Sequence, residues 1–267
     1  MLEKIKELKE KFEGKDCLII TAGPSLENTC KKRLKELAER KVVIAVKQAY
    51  YFVPEIVDIH VINDNNYECY DYKKAKRNLK IILLKSPSIL SFTPKSNAYI
   101  KFIIKKESCS WEKSLVHKNN FEDYEICENS LERPWGPGIM YEICIYLPVF
   151  FNSNNVIFVS WDLGSNGTNI INRFRENNGF VKHIHNYLIS NFPHFFNNFY
   201  IKVENIFRII FYFIGFKVKM GLPSATKNEA IKIAESTLLL SNYYNSKGIN
   251  HFVISDASML CDNFERI

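Results

Sequence analysis

Glycine is scarce in this chain, with 10 in 267 residues, and no two cysteines form a Cys-x-x-Cys pair. There is no internal repeat, no low-complexity tract and no apolar run long enough to span a bilayer. These absences exclude a fibrous or disordered chain, a paired-cysteine zinc site and an integral membrane protein. The cysteines number seven, an odd count, and Cys17 and Cys144 fall inside apolar runs where cysteine serves as a small buried hydrophobe. A reduced, cytoplasmic setting is expected. The opening "MLEKIKELKEKFEGK" is an amphipathic charged helix and lacks the long apolar stretch of a signal peptide.

Aromatics, by contrast, are abundant, with 14 Tyr and 20 Phe, so a large core is within reach. Net charge is +7, in scattered lysines and short clusters such as Lys31-Lys32-Arg33 and Lys105-Lys106. Without a long basic run, that excess suits an anionic small ligand or an anionic membrane surface, and no nucleic-acid partner is expected.

Apolar segments alternate with helical ones. "DCLIITA" (16–22), "KVVIAVKQ" (41–48), "VDIHVIND" (57–64), "KIILLKS" (80–86) and "NNVIFVSWD" (154–162) predict short buried strands. "SLENTCKKRLKELAER" predicts a helix with Ser25 at or near its N-cap, and "GPGIMYEICIYLPVFFNS" a buried one. "SATKNEAIKIAESTLLLSNYYNSKG" predicts a further helix closing on Gly248, followed by the strand "INHFVISD". The alternation predicts an α/β fold, a doubly wound and mostly parallel sheet. Residues 165–222 break the rhythm. Their first part, rich in Asn, His and aromatics, is expected to form a lid. The second, "VENIFRIIFYFIGFKVKMGL", is either a buried helix or a segment that lies on an anionic membrane.

Three motifs fall where such a sheet binds ligands, at the carboxyl ends of its strands. Gly23-Pro24-Ser25 follows the first strand and opens a helix, an arrangement that offers backbone N–H groups to a phosphate. It has neither the lysine of a P-loop nor the glycine spacing of a dinucleotide fingerprint, so an ordinary structural turn competes evenly. "RPWGPGIMYE" offers a second helix start. Asp162, in "VSWDLGSNG", ends a strand and is placed either to accept a sugar hydroxyl or to cap a loop. Gln48 and Asn63 follow the second and third strands on the same rim, with Asp64 beside them. Amides there can read a base edge, because they both donate and accept.

In this order, "IITAGPSL", "VKQAYYF", "INDNNYE", "GPGIMYEICIYL", "NNVIFVSWDLGSNG", a His-containing lid and "TKNEAIKIAES…HFVISDASML" resemble one known family. It is the small bacterial sialyltransferases of lipooligosaccharide, with their wider superfamily of flagellin-modifying motility-associated factors and pterin diphosphokinases. The resemblance implies a single Rossmann-like domain over 1–267 with a lid at 165–222. It also implies a nucleotide site of Ala22, Gly23, Pro24, Ser25, Gln48, Asn63, Gly136, Pro137, Gly138, Asp162 and Ser258. Ala22 stands where that family has asparagine, Lys47 replaces the first amide of an Asn-Gln pair, and Gly136-Pro137 replaces a Thr-Ser pair. The family's base is a lid histidine, which here means His185, then His183, then His194. Neither metal nor cofactor is implied.

The expected activity is therefore transfer of an acidic sugar, sialic acid-like or Kdo-like, from a CMP-sugar donor to a cell-surface glycan or glycolipid acceptor. Contact with the inner face of the membrane and assembly into a homo-oligomer stay open. The competing readings are a magnesium-dependent pterin pyrophosphokinase, with Asp64 and Asp162 as its carboxylates, and a non-catalytic nucleotide-binding module.

Overall fold

The computed structural model describes residues 2–21, 23–63, 70, 72–76, 78–85, 100–105, 121, 139–162, 227–254 and 265–266. Among the described residues eight strands form one sheet: β1 (Cys17–Ile20), β2 (Val42–Val46), β3 (Ile59–Asn63), β4 (Lys80–Lys85), β5 (Ile100–Lys105), β6 (Asn155–Val159), β7 (Asn250–Ile254) and β8 (Glu265–Arg266). Their order is β5-β4-β3-β2-β1-β6-β7-β8, and every neighbouring pair is parallel. Four α-helices accompany them among the described residues: α1 (Leu2–Phe12), α2 (Lys31–Leu37), α3 (Ile139–Phe150) and α4 (Lys227–Ser246).

Both faces of the sheet are covered, and this is why β1 and β2 read as unbroken apolar runs. On one face Leu8 and Phe12 of α1, Ile143 and Leu147 of α3, and Leu240 and Tyr244 of α4 pack with Cys17, Ile19, Ile44 and Phe158. On the other, Leu34 of α2 joins Leu26, Ala49 and Tyr50 over Leu18, Ile20, Val43 and Ile81. The fold is thus α/β and doubly wound, as the alternation predicts. Cys17 and Cys144 are buried free thiols. Burial pushes Cys17 up to about 12 and Cys144 higher still, so neither ionises near neutral pH.

From β1 the chain steps outward through β2, β3, β4 and β5, whereas from β6 it steps the other way through β7 and β8. The reversal makes the carboxyl ends of β1 and β6 a topological switch point, the place where such sheets leave a crevice.

One expected helix is two elements. After β1 come a 3-10 turn over Pro24–Asn28 and then α2, separated by extended backbone at Thr29 and Cys30. The Thr29 hydroxyl donates to the Ser25 carbonyl at 3.1 Å, while the Thr29 N–H donates to Leu26 at 3.1 Å. An α-helix would need that N–H on Ser25, so the threonine side chain takes the acceptor and the helix restarts.

The expected lid at 165–222, and the possible membrane-lying segment within it, lie outside the described residues. No helix among the described residues is long and apolar enough to cross a membrane.

Candidate functional site

Gly23 shows how the switch point is built. Its φ of −67° and ψ of 156° are open to any residue, so no dihedral demands glycine here. Space does. A Cβ at this position would lie 2.6 Å from the Asp162 Cγ, and nearer still to Asp162 Oδ2 and the Ser160 carbonyl oxygen. The bare backbone of Gly23 lets the end of β6 close against the end of β1.

Asp162 fills that room. Its Oδ2 accepts the Ser25 backbone N–H at 2.7 Å, and its Oδ1 accepts the Ser25 hydroxyl at 2.8 Å. The carboxylate is buried, with 5% of its surface exposed. Ser25 is therefore not the cap of its own turn: Gly23 holds the cap position and makes no side-chain cap bond. The acceptor comes from 137 residues further along the chain. Two more bonds bind the same strand ends. The Thr21 hydroxyl donates to the Ser160 carbonyl, and the Thr21 N–H donates to Val159 at 3.0 Å. Ser160 has a φ of +56°, a left-handed backbone that is uncommon outside glycine, between β6 and Asp162. Its Oγ is buried with no hydrogen-bond partner among the described residues.

The sequence leaves Gly23 either opening its backbone to a ligand or making an ordinary structural turn; in the structure a carboxylate of the chain itself stands against it and holds the Ser25 N–H.

The remaining rim residues follow from strand order. Gln48 is half-buried in the 3-10 turn Lys47–Tyr51 after β2. Asn63 is the last residue of β3. With parallel strands about 5 Å apart, these ends stand about 5 and 10 Å along the sheet from β1. The first turn of α3 reaches the end of β6, because the Tyr141 ring meets Trp161 edge-on at 5.1 Å. Burial pushes the Tyr141 phenol up to about 12, with Cys144 and the negative Asp162 adding to the rise. Glu142, one residue on, is fully buried. Gly136, Pro137 and Gly138 precede this helix and lie outside the described residues, as do Ala22, Asp64, Ser258, His183, His185 and His194. The structure thus joins Ser25 to Asp162 directly, sets Gly23 against Asp162 with Pro24 next to it in the turn, and places Gln48 and Asn63 at the next two strand ends.

Thr21, Ser160 and Tyr141 belong to this neighbourhood, and the sequence does not single them out. No local pattern marks them, since the Thr21–Ser160 and Tyr141–Trp161 contacts join residues far apart in the chain.

Asp162→Ala leaves the Ser25 N–H and hydroxyl without their acceptor and should lower stability by about 2 kcal/mol. In a chain of this size that is a fall of about 4–8 °C in Tm. Asp162→Asn should stay close to wild type, since a carboxamide both accepts the N–H and donates to the hydroxyl. Thermal unfolding of the two variants checks this, and an Ala variant that melts with wild type refutes it.

Fold and rim together define a doubly wound α/β protein with its candidate site at the β1/β6 switch point. A family model described as 6-hydroxymethylpterin diphosphokinase MptE-like matches residues 1–168, more than half of the chain, and the chain belongs to this MptE-like family. The match runs from α1 past Asp162, so it takes in the whole described rim. It agrees with the diphosphokinase branch of the superfamily that the sequence resembles. No curated protein and no solved structure matches the chain.

Proposed function

We propose that the chain is a nucleotide-dependent transferase that holds its nucleotide's phosphates in the crevice between the ends of β1 and β6. The observation that carries this reading is the Gly23–Ser25 turn tied to Asp162 at the switch point. An incoming phosphate meets the buried Asp162 carboxylate, and two like charges in a crevice of low dielectric repel strongly. The phosphate must therefore bring a cation that both anions share, or turn Asp162 off Ser25 and take the freed N–H.

The first route suits the activity in the family's description, with magnesium nucleoside triphosphate as the substrate. There a pterin hydroxymethyl oxygen attacks the β-phosphorus, the bond to the α-phosphate oxygen breaks, the nucleoside monophosphate leaves, and the hydroxyl proton passes to a base. Ser25 and Asp162 orient the phosphates, and most of the rate comes from such positioning and charge neutralisation.

The second route suits transfer of an acidic sugar from its CMP form to a glycan acceptor. It is favoured by the sequence pattern beyond residue 168, where α4 and β7 follow in the order of the resembled transferases. A neutral lid histidine (His185, His183 or His194) would take the acceptor's hydroxyl proton as the C2–O bond to CMP breaks.

Melting curves separate the two. A ligand at about 100 times its Kd stabilises by about 2.7 kcal/mol, several degrees in Tm. A shift with ATP and magnesium supports the first route, and a shift with CMP free of metal supports the second. A chain that responds to neither is not a nucleotide-dependent transferase. Under the second route one of His185→Ala, His183→Ala and His194→Ala should lose turnover and keep CMP binding. Normal rates in all three, and in the His183/His185 double variant, would remove histidine from the mechanism.

A further inference from the structure

We propose that His60 is a positioning residue: its ring holds the Lys47 carbonyl and so sets where Gln48 stands on the nucleotide rim. This rests on the reading above that the rim binds a nucleotide.

His60 lies in β3 opposite Ala45 of β2 and is fully buried. Its Nε2 is 2.8 Å from the Lys47 carbonyl oxygen. A carbonyl only accepts, so Nε2 carries the hydrogen and donates it. Nδ1 then holds the lone pair and accepts the Tyr72 hydroxyl at 3.0 Å. Both ring nitrogens are thus committed in one tautomer, and burial, which depresses the ring's pKa to about 3, keeps it neutral. The ring is also clamped in orientation. Tyr50 stacks on it at 4.7 Å and 23°, and Tyr70 meets it edge-on at 4.6 Å.

What the imidazole holds is unusual backbone. Lys47 has a φ of +51°, a left-handed conformation that L side chains disfavour, at the junction of β2 and its 3-10 turn. Glycine would take that conformation readily; lysine takes it only when the surroundings over-determine it. The imidazole supplies that constraint at the carbonyl. The next residue is Gln48, so relaxation at Lys47 carries the glutamine with it. A histidine that merely filled the core would need neither nitrogen, and phenylalanine would serve as well.

The test uses the full chain, with ATP plus magnesium and CMP alone as probes. Affinities are measured by calorimetry at a temperature where each variant is folded. His60→Phe keeps an aromatic ring but loses the donor, and its affinity is expected to fall about 10-fold, the worth of one well-placed hydrogen bond. Lys47→Gly accepts the left-handed turn unaided, so in that background His60→Phe should change affinity less than about twofold. His60→Gln, whose amide can donate to the same carbonyl, should hold close to wild-type affinity.

Equal losses in both backgrounds would show that His60 does not act through Lys47. Wild-type affinity in His60→Phe, even at a lowered Tm, would leave His60 a core residue only. Should His60→Phe fail to fold, His60→Gln and the wild type are compared by amide NMR. The Gln48 amide and the hydrogen-bonded Nε2–H of wild-type His60 then report on the contact, and a solvent-exchanging Nε2–H overturns it. Wild type that binds neither probe overturns the nucleotide reading and this proposal with it; wild type that binds while His60→Phe is unaffected overturns this proposal alone.

Discussion

Gly23→Ala is expected to lower stability by about 3 kcal/mol and, under the proposed function, to abolish any rise in Tm that nucleotide gives the wild type. The new methyl would stand 2.6 Å from the Asp162 Cγ and closer to Asp162 Oδ2 and the Ser160 carbonyl oxygen. Carbon atoms in proteins do not approach so near, so the end of β6 must withdraw from the end of β1. Withdrawal stretches the Ser25–Asp162 bonds and the Thr21–Ser160 bond together, since all of them cross the same junction. Gly14 and Gly248 supply the contrast. A Cβ at either meets nothing within 4 Å, and their φ values of +70° and +91° make them glycines of conformation. Alanine there should cost about 1–2 kcal/mol and leave ligand response intact. Combining Gly23→Ala with Asp162→Ala should recover only part of the loss, because the Ser160 carbonyl stays in the way. Urea midpoints measured without ligand, beside melting shifts with nucleotide, check the series. A Gly23→Ala chain with a wild-type midpoint would mean that the junction yields easily and is no rigid part of the site.

How much of this was legible in the sequence follows from where each element lies in the sheet. The central strands β1, β2, β3, β4 and β6 are packed on both faces, so each shows as a bounded apolar run, and the expected spans differ from the observed ones by a few residues. β5 and β8 were not legible. Among the described strands they are the two outermost, and β5 reads "IKFIIK", with lysines that suit an edge and interrupt the apolar signal. β8 is two residues, "ER", with no pattern to read.

The turn at Gly23 was legible as a turn after β1; Asp162 was expected to end a strand and instead lies three residues beyond β6, which closes at Val159. Their contact was not legible, because the bonded residues are 137 positions apart and nothing in either motif names the other. His60 is harder still. It looks like a stray polar residue within "VDIHVIND", and only the fold brings Lys47, Tyr50, Tyr70 and Tyr72 around it.

Acidification from pH 6.5 to 5 is expected to remove about 3 kcal/mol of stability through two buried histidines. His60 in β3 and His251 in β7 have both been driven to about 3 by burial, against 6.5 for an exposed ring. His251 is held neutral in a second buried pair, its Nδ1 2.6 Å from the Ser241 hydroxyl of α4. Well above pH 6.5 neither the folded nor the unfolded chain protonates these rings, so there they add no pH dependence. Between 6.5 and 3 the unfolded chain binds two protons that the folded chain refuses. Stability therefore falls as pH falls, approaching about 2.7 kcal/mol per pH unit for the pair. The loss is complete only when the pH passes below the folded value near 3, where the carboxylates also titrate. Urea unfolding at pH 7, 6 and 5 stays above most of that carboxylate range. His60→Gln and His251→Asn should each lower the overall level of stability yet flatten its slope with pH by about half. Unchanged slopes in both variants would mean that the two rings take up protons in the folded chain, by way of openings that let water reach β3 and β7.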